Sequence, residues 1–122
     1  MDQIAKGKIV RIDPASPNPP EIQILITSIA IGFYSAYRIE GSKHPLICQG
    51  SSADPPKTCK IGNNSATLPG RLVSWQVGIA GATATDPFNL TVIFMQDGKV
   101  LDKFTYPQGQ GDDLTVDYVT LG

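Results

Sequence analysis

Between Leu72 and Ile79 the hydrophobic and polar positions alternate strictly, with Val73, Trp75, Val77 and Ile79 on one face and Ser74, Gln76 and Gly78 on the other. A period of two marks a half-buried β-strand, and it predicts that Trp75 points inward. After a Gly/Ala/Thr-rich break, Phe88, Leu90, Val92 and Phe94 take even positions against Asn89 and Thr91, and beyond Asp97-Gly98 the residues Val100, Phe104 and Tyr106 are again even. Even positions should therefore face even positions across a hairpin. A two-residue Asp97-Gly98 loop pairs residues whose numbers sum to an odd value and mixes the faces. A three-residue loop, Gln96-Asp97-Gly98, with Gly98 left-handed and a G1 bulge, keeps them separate. It pairs Met95 with Lys99, Phe94 with Val100, Leu90 with Phe104 and Phe88 with Tyr106. Asp102 then falls on the apolar face, which suits either a sheet edge or a buried partner.

Lys6 to Asp13 reads as a charge-decorated first strand, and Pro14, Pro17, Pro19 and Pro20 after it favour a sheet edge. Ile22, Ile24 and Ile26 are even, whereas Ile29, Ile31, Phe33, Tyr37 and Ile39 are odd. The inward phase is therefore expected to flip near Thr27-Ser28, at a bulge or tight corner. On that phase Phe33 joins Trp75, Phe88, Phe94 and Phe104 in the core, and Tyr34, facing the other way, is the best candidate for an exposed ring. Residues 44–69 carry Pro45, Pro55, Pro56 and Pro69 and form the largest irregular segment, the kind that is functional or pinned. The tail alternates once more, with Leu114, Val116 and Tyr118 opposite Thr115 and Asp117, and supplies a last strand. No stretch sustains a 3.6-residue period, and no internal repeat occurs. The pattern predicts an all-β fold with almost no helix: an antiparallel two-layer β-sandwich, immunoglobulin-like or jelly-roll, with a small β-barrel as the alternative.

A chain of 122 residues suits a single domain, 1–122. Its net charge is -1, and its ten basic residues never form a run, so there is no phosphate-neutralising patch and nucleic acid is not an expected partner. The longest uncharged apolar stretch, Ile22 to Tyr37, falls short of the ~20 residues of a spanning helix, so no membrane span is expected. The N-terminal residues are too polar for a signal-peptide core.

Cys48 and Cys59 are the only cysteines, and they are expected to pair as a disulfide that pins the long loop. Both precede Trp75, so they are not the conserved bridge of an immunoglobulin domain. With that pairing, the chain reads as a secreted or extracellular domain that has lost its signal peptide. A zinc site from His44, Cys48 and Cys59 lacks both CxxC spacing and a fourth ligand. His44, the sole histidine, lies about 13 Å along an extended chain from Cys48, which argues against a Cys-His nucleophile. Asp112-Asp113 follow a Gln-Gly-Gln-Gly loop and, with Asp54 and Asp86, are the carboxylates nearest to calcium or glycosidase chemistry, though without the DxDxDG density of a specific site. No metal or other cofactor is expected. GQGDDL lacks the third glycine and the following helix of a dinucleotide motif, and there is no GxSxG, P-loop or HExxH. Asn63 and Asn89 match the glycosylation sequon.

The expectation is thus a non-catalytic module acting in protein–protein assembly or self-association, or as a structural or accessory domain. Carbohydrate binding is the first alternative and a hydrolase of unknown type the second. Tyr34, Tyr37, His44, Asp112 and Asp113 are the ligand or interface candidates. Self-association is expected through the Ile22 to Ile39 region, where Ile29, Ile31 and Phe33 make one apolar face, Ala30, Gly32, Tyr34 and Ala36 leave the opposite face small and uncharged, and only one face can meet a core.

Overall fold

The computed structural model describes residues 3–28, 31–80, 87–110 and 115–122. Among them the strands are β1 (Lys8–Val10), β2 (Glu21–Ser28), β3 (Ile31–Ile39), β4 (Leu46–Ser51), β5 (Thr58–Lys60), β6 (Leu72–Ala80), β7 (Pro87–Gln96), β8 (Lys99–Thr105), β9 (Gly109–Gln110) and β10 (Thr115–Leu121). They form two packed sheets and no closed barrel, which makes the fold an all-β sandwich. Sheet A has the order β1-β10-β6-β3-β4, and sheet B the order β5-β2-β7-β8, with β9 pairing the start of β7. Every pairing is antiparallel except β1 with β10. The one helical element among the described residues is a 3₁₀ turn, Ser65–Thr67, whose Ala66 N–H donates to the Asn64 side chain.

Sequence alternation became burial where it was unambiguous. Val73, Trp75 and Val77 from β6, and Phe88, Leu90, Val92 and Phe94 from β7, are buried between the sheets. Trp75 packs on Phe94 and Phe104 at centroid distances of 5.8 and 6.2 Å, and Phe94 meets Phe104 edge-on at 6.1 Å. Such pairs add about 0.5–1.5 kcal/mol each beyond their burial.

The hairpin departs from expectation in its loop. Gln96 pairs with Lys99 and Met95 with Val100, so Asp97 and Gly98 alone form the turn, with φ of 54° and 74°. Asp-Gly satisfies the two positive φ values of a type I′ turn, which matches strand twist better than the longer loop. The faces are unmixed two residues later, where a bulge skips Leu101 and sets Asp102 opposite Phe94 and Phe104 opposite Val92. Even does face even, but shifted by two, and Val100 is exposed rather than inward. Asp102 has the inward phase on β8, an edge strand, where an inward charge opposes edge-to-edge pairing.

The phase of β3 is the second departure. Even positions point inward in β2 and β3 alike, so no flip occurs: Tyr34 and Ala36 are buried, while Ile31 and Phe33 face out. The deciding contact is across the strand, where Tyr34 sits opposite Gly50 of β4. A Cβ on Gly50 would lie 2.7 Å from the Tyr34 hydroxyl, so only glycine leaves room for the ring.

In β10 the buried face is Thr115, Asp117, Val119 and Leu121. Asp117 is fully buried, and Oδ2 accepts from the Tyr106 hydroxyl at 2.6 Å and from the Ala5 N–H at 2.9 Å. Tyr106 in turn accepts from Trp75 Nε1 at 3.1 Å. Burial, then the hydrogen bond to Asp117, pushes the Tyr106 phenol well above its ordinary range, so it remains a donor. Asp117→Ala leaves the Tyr106 hydroxyl and the Ala5 N–H without their acceptor. Chemical denaturation should show a loss of about 2–4 kcal/mol, with hydrogen exchange quickening first in the N-terminal segment.

Gln96, also buried, ties residues 13–20 to the hairpin. Oε1 accepts from the Asp13 N–H, and Nε2 donates to the Asp13 and Asn18 carbonyls. On the surface beside it Asp97 accepts from Ser16 Oγ and from Asn18 Nδ2, and these bonds hold its carboxyl below the usual range. A depressed folded-state pKa stabilises above the unfolded value of ~3.9, and the contribution is lost as pH falls through the folded value. Amide exchange in residues 13–18 should therefore quicken below about pH 4, after correction for intrinsic rates, and Asp97→Ala should abolish that step.

Candidate functional site

The expected candidates divide between two places. Tyr34 is inside the sandwich, and Tyr37 lies on the outer face of sheet A, where it and His44 line a shallow depression of 360 Å³ with Ser74, Gln76 and Val116. Asp112 and Asp113 lie outside the described residues, as does Asp86. Among the described residues no three His, Cys, Asp or Glu side chains gather as they would to hold a metal ion.

The outer face of sheet A is a grid set by the strand register. Gln76 is flanked by Val116 and Ser35, Ser74 by Tyr118 and Tyr37, and Gly78 by Phe33. Leu46 extends the row of Tyr37 onto β4, and Ile9 adjoins Thr120 at the other margin. None of the outward positions on β1, β3, β4, β6 and β10 carries a charge. Ile31, Phe33, Leu46 and Val116 are 47, 51, 49 and 43% exposed, so about half of each large apolar side chain is in water. Sequence reading placed Phe33 in the core and did not single out Val116. The causes differ: no charge marks either face of β3 before Arg38, and in the tail Val116 and Tyr118 lie on the face that is turned outward.

The second place is the open side of the sandwich, where β4 of sheet A and β5 of sheet B run past each other. Cys48 and Cys59 are joined there by a disulfide, with a Cα–Cα distance of 5.8 Å. The predicted pairing is present, and it does more than pin a loop, because it ties one sheet to the other at their edges. Beside it a cleft of 230 Å³ enters between the sheets, lined by Ile24, Ile26, Tyr34, Ser51, Asp54 and Pro56 among others. Burial, then the negative charge of Asp54, raises the Tyr34 phenol above its ordinary value. Ser51 donates to Asp54 Oδ2 from both its N–H and its hydroxyl, at 3.3 Å each.

Arg38 closes the far end of β3. Its Nε donates to Glu40 at 2.9 Å and its guanidinium also reaches the Ile61 carbonyl, which keeps the Glu40 carboxyl below its ordinary range.

Cutting the disulfide with reductant, or by Cys48→Ser with Cys59→Ser, should cost about 3 kcal/mol. Hydrogen exchange should quicken in β5 and residues 51–57 while β6 and β7 keep their protection, since those strands are held by the aromatic core. Equal loss of protection in all four regions would show that the bridge is needed for the whole sandwich. No family model matches this chain, and neither does any curated protein or solved structure.

Proposed function

We propose that the chain is a non-catalytic assembly module that associates with a second copy of itself through the outer face of sheet A. One observation carries the reading: five adjacent strands present no outward charge and leave Ile31, Phe33, Leu46 and Val116 about half exposed. An uncharged face with several large apolar side chains exposed on it has the character of an interaction site. A second copy is the partner that suits it, because an uncharged face meets itself without opposing like charges, and a two-fold arrangement needs only one self-complementary patch. Its neutral polar groups, Ser35, Ser74 and Gln76, have short side chains or a local partner, as in the bond from Gln76 Nε2 to Ser35 Oγ at 3.2 Å. Five strands about 4.8 Å apart and about seven residues long present roughly 500 Å². Two copies then bury roughly 1,000 Å², the lower bound for a specific interface. The disulfide is compatible with an extracellular setting, and we propose that the module works there.

The solution mass tests this. Wild-type protein at micromolar to millimolar concentration should weigh twice the single chain. Val116→Arg, which places a cation on an exposed position, should raise the dimer dissociation constant roughly 100-fold or more while leaving circular dichroism unchanged. A wild-type protein that stays monomeric throughout that range, or a Val116→Arg variant that dimerises as well as wild type, refutes the proposal.

A further inference from the structure

The Tyr34 cleft differs in character from the outer face. Every fully enclosed side-chain nitrogen and oxygen among the described residues has a hydrogen-bond partner. The Tyr34 hydroxyl makes no hydrogen bond among the described residues, although the residue is only 7% exposed, and Tyr34 lines the cleft between the sheets. Asp54, which lines the same cleft, uses Oδ2 for Ser51 and leaves Oδ1 without a hydrogen bond among the described residues. A residue with a donor and one with an acceptor therefore line one small space. Ile24, Ile26 and Pro56 supply an apolar wall to it.

We propose that this cleft is a binding site for a small neutral polyol of monosaccharide size, held by the Tyr34 hydroxyl and the free oxygen of Asp54. An anion meets Asp54 with its own charge and is disfavoured. An ammonium pairs with Asp54 but gives the Tyr34 O–H nothing to donate to, and burial together with Asp54 keeps that phenol protonated. A hydroxyl group answers both, since it accepts from Tyr34 and donates to the carboxylate, and two neighbouring hydroxyls do so without strain. The C–H face of a sugar or cyclic polyol then lies on the isoleucine and proline wall, the combination of apolar lining and few polar anchors found in small-molecule sites. At 230 Å³ the space is below the ~300–1,000 Å³ of sites for drug-sized ligands, which limits the occupant to about one ring. Gly50 belongs to the site as well, because any side chain there would displace the Tyr34 hydroxyl. This proposal is independent of the assembly reading: the anchoring groups lie off the outer face, and Val116→Arg does not touch them.

The experiment is an amide NMR titration of the wild-type protein with D-glucose, D-galactose, D-mannose and myo-inositol, alongside methylammonium and phosphate. At least one of the four polyols should produce saturable shifts centred on Gly50, Ser51, Ser52 and Asp54, with millimolar affinity. Tyr34→Phe, which keeps the ring, and Asp54→Asn, on an exposed loop, should each weaken that affinity about tenfold while the folded spectrum persists. Absence of saturable shifts at those amides with all four polyols overturns the proposal, as does unchanged affinity in both variants. Saturation by methylammonium or phosphate without any polyol does so too, and reassigns the site to an ion.

Discussion

Asp117 is the residue on which the arrangement of sheet A depends. A carboxyl group with no exposure is tolerable only when its oxygens are fully engaged, and here the Tyr106 hydroxyl and the backbone N–H groups of Ala5 and Tyr118 engage them. Those partners come from three directions. Tyr106 follows β8 of sheet B, so the bond ties the two sheets together; Ala5 lies three residues before the start of β1, so the bond holds the N-terminal segment where β1 can pair in parallel with β10. The inward position of Asp117 also sets the phase of β10. With Thr115, Asp117, Val119 and Leu121 inside, Val116 and Tyr118 are turned out, and the uncharged outer face follows from a buried charge.

What could be read in advance depended on whether one face of a strand was clearly more polar than the other. In β6 and β7 it was, and the buried residues agree with the alternation one by one. The Cys48–Cys59 pairing was legible from cysteine count alone. In β3 neither face carries a charge until Arg38, so the phase was decided by a residue sixteen positions from Tyr34 in sequence, the Gly50 that makes room for it. Period-two patterning holds no information about such a cross-strand vacancy. In β10 the short apolar-looking run Leu114, Val116, Tyr118 was outweighed by Val119 and Leu121 and by the network waiting for Asp117.

The hairpin shows a subtler division. Parity is a property of the whole strand pair, and the inference that even must face even survived. Where the extra residue goes is a local matter, and there the type I′ preference of Asp-Gly prevailed, with the bulge displaced to Leu101 on an edge strand where a lost ladder bond is exposed to water. Gln96 adds a non-local reason. Its side chain is already committed to the backbone of Asp13 and Asn18, so placing Gln96 in the ladder rather than in the loop serves both the turn and the segment packed against it. Tyr37 and His44 were named separately as candidates and the fold brings them to one depression, whereas Asp117 and Gln96 gave no local signal, since both read as ordinary surface polar residues until their partners arrive from distant parts of the chain.

The two proposed surfaces meet in a single dipeptide. Phe33 and Tyr34 are consecutive in β3 and so project to opposite sides of sheet A, Phe33 onto the open face beside Gly78 and Tyr34 into the sandwich beside Gly50. Each ring is next to a glycine on the neighbouring strand; Gly50 leaves the space that the buried Tyr34 ring fills, while Phe33 beside Gly78 remains half exposed. A strand that is apolar on both sides is a liability for an isolated sandwich, because one side must remain in water. It becomes useful when the outer side contacts another subunit and the inner side borders a cleft at the sheet edge. The proposed assembly face and the proposed ligand cleft would then draw on one strand without sharing an anchoring residue, and the disulfide between β4 and β5 holds the edge beside that cleft.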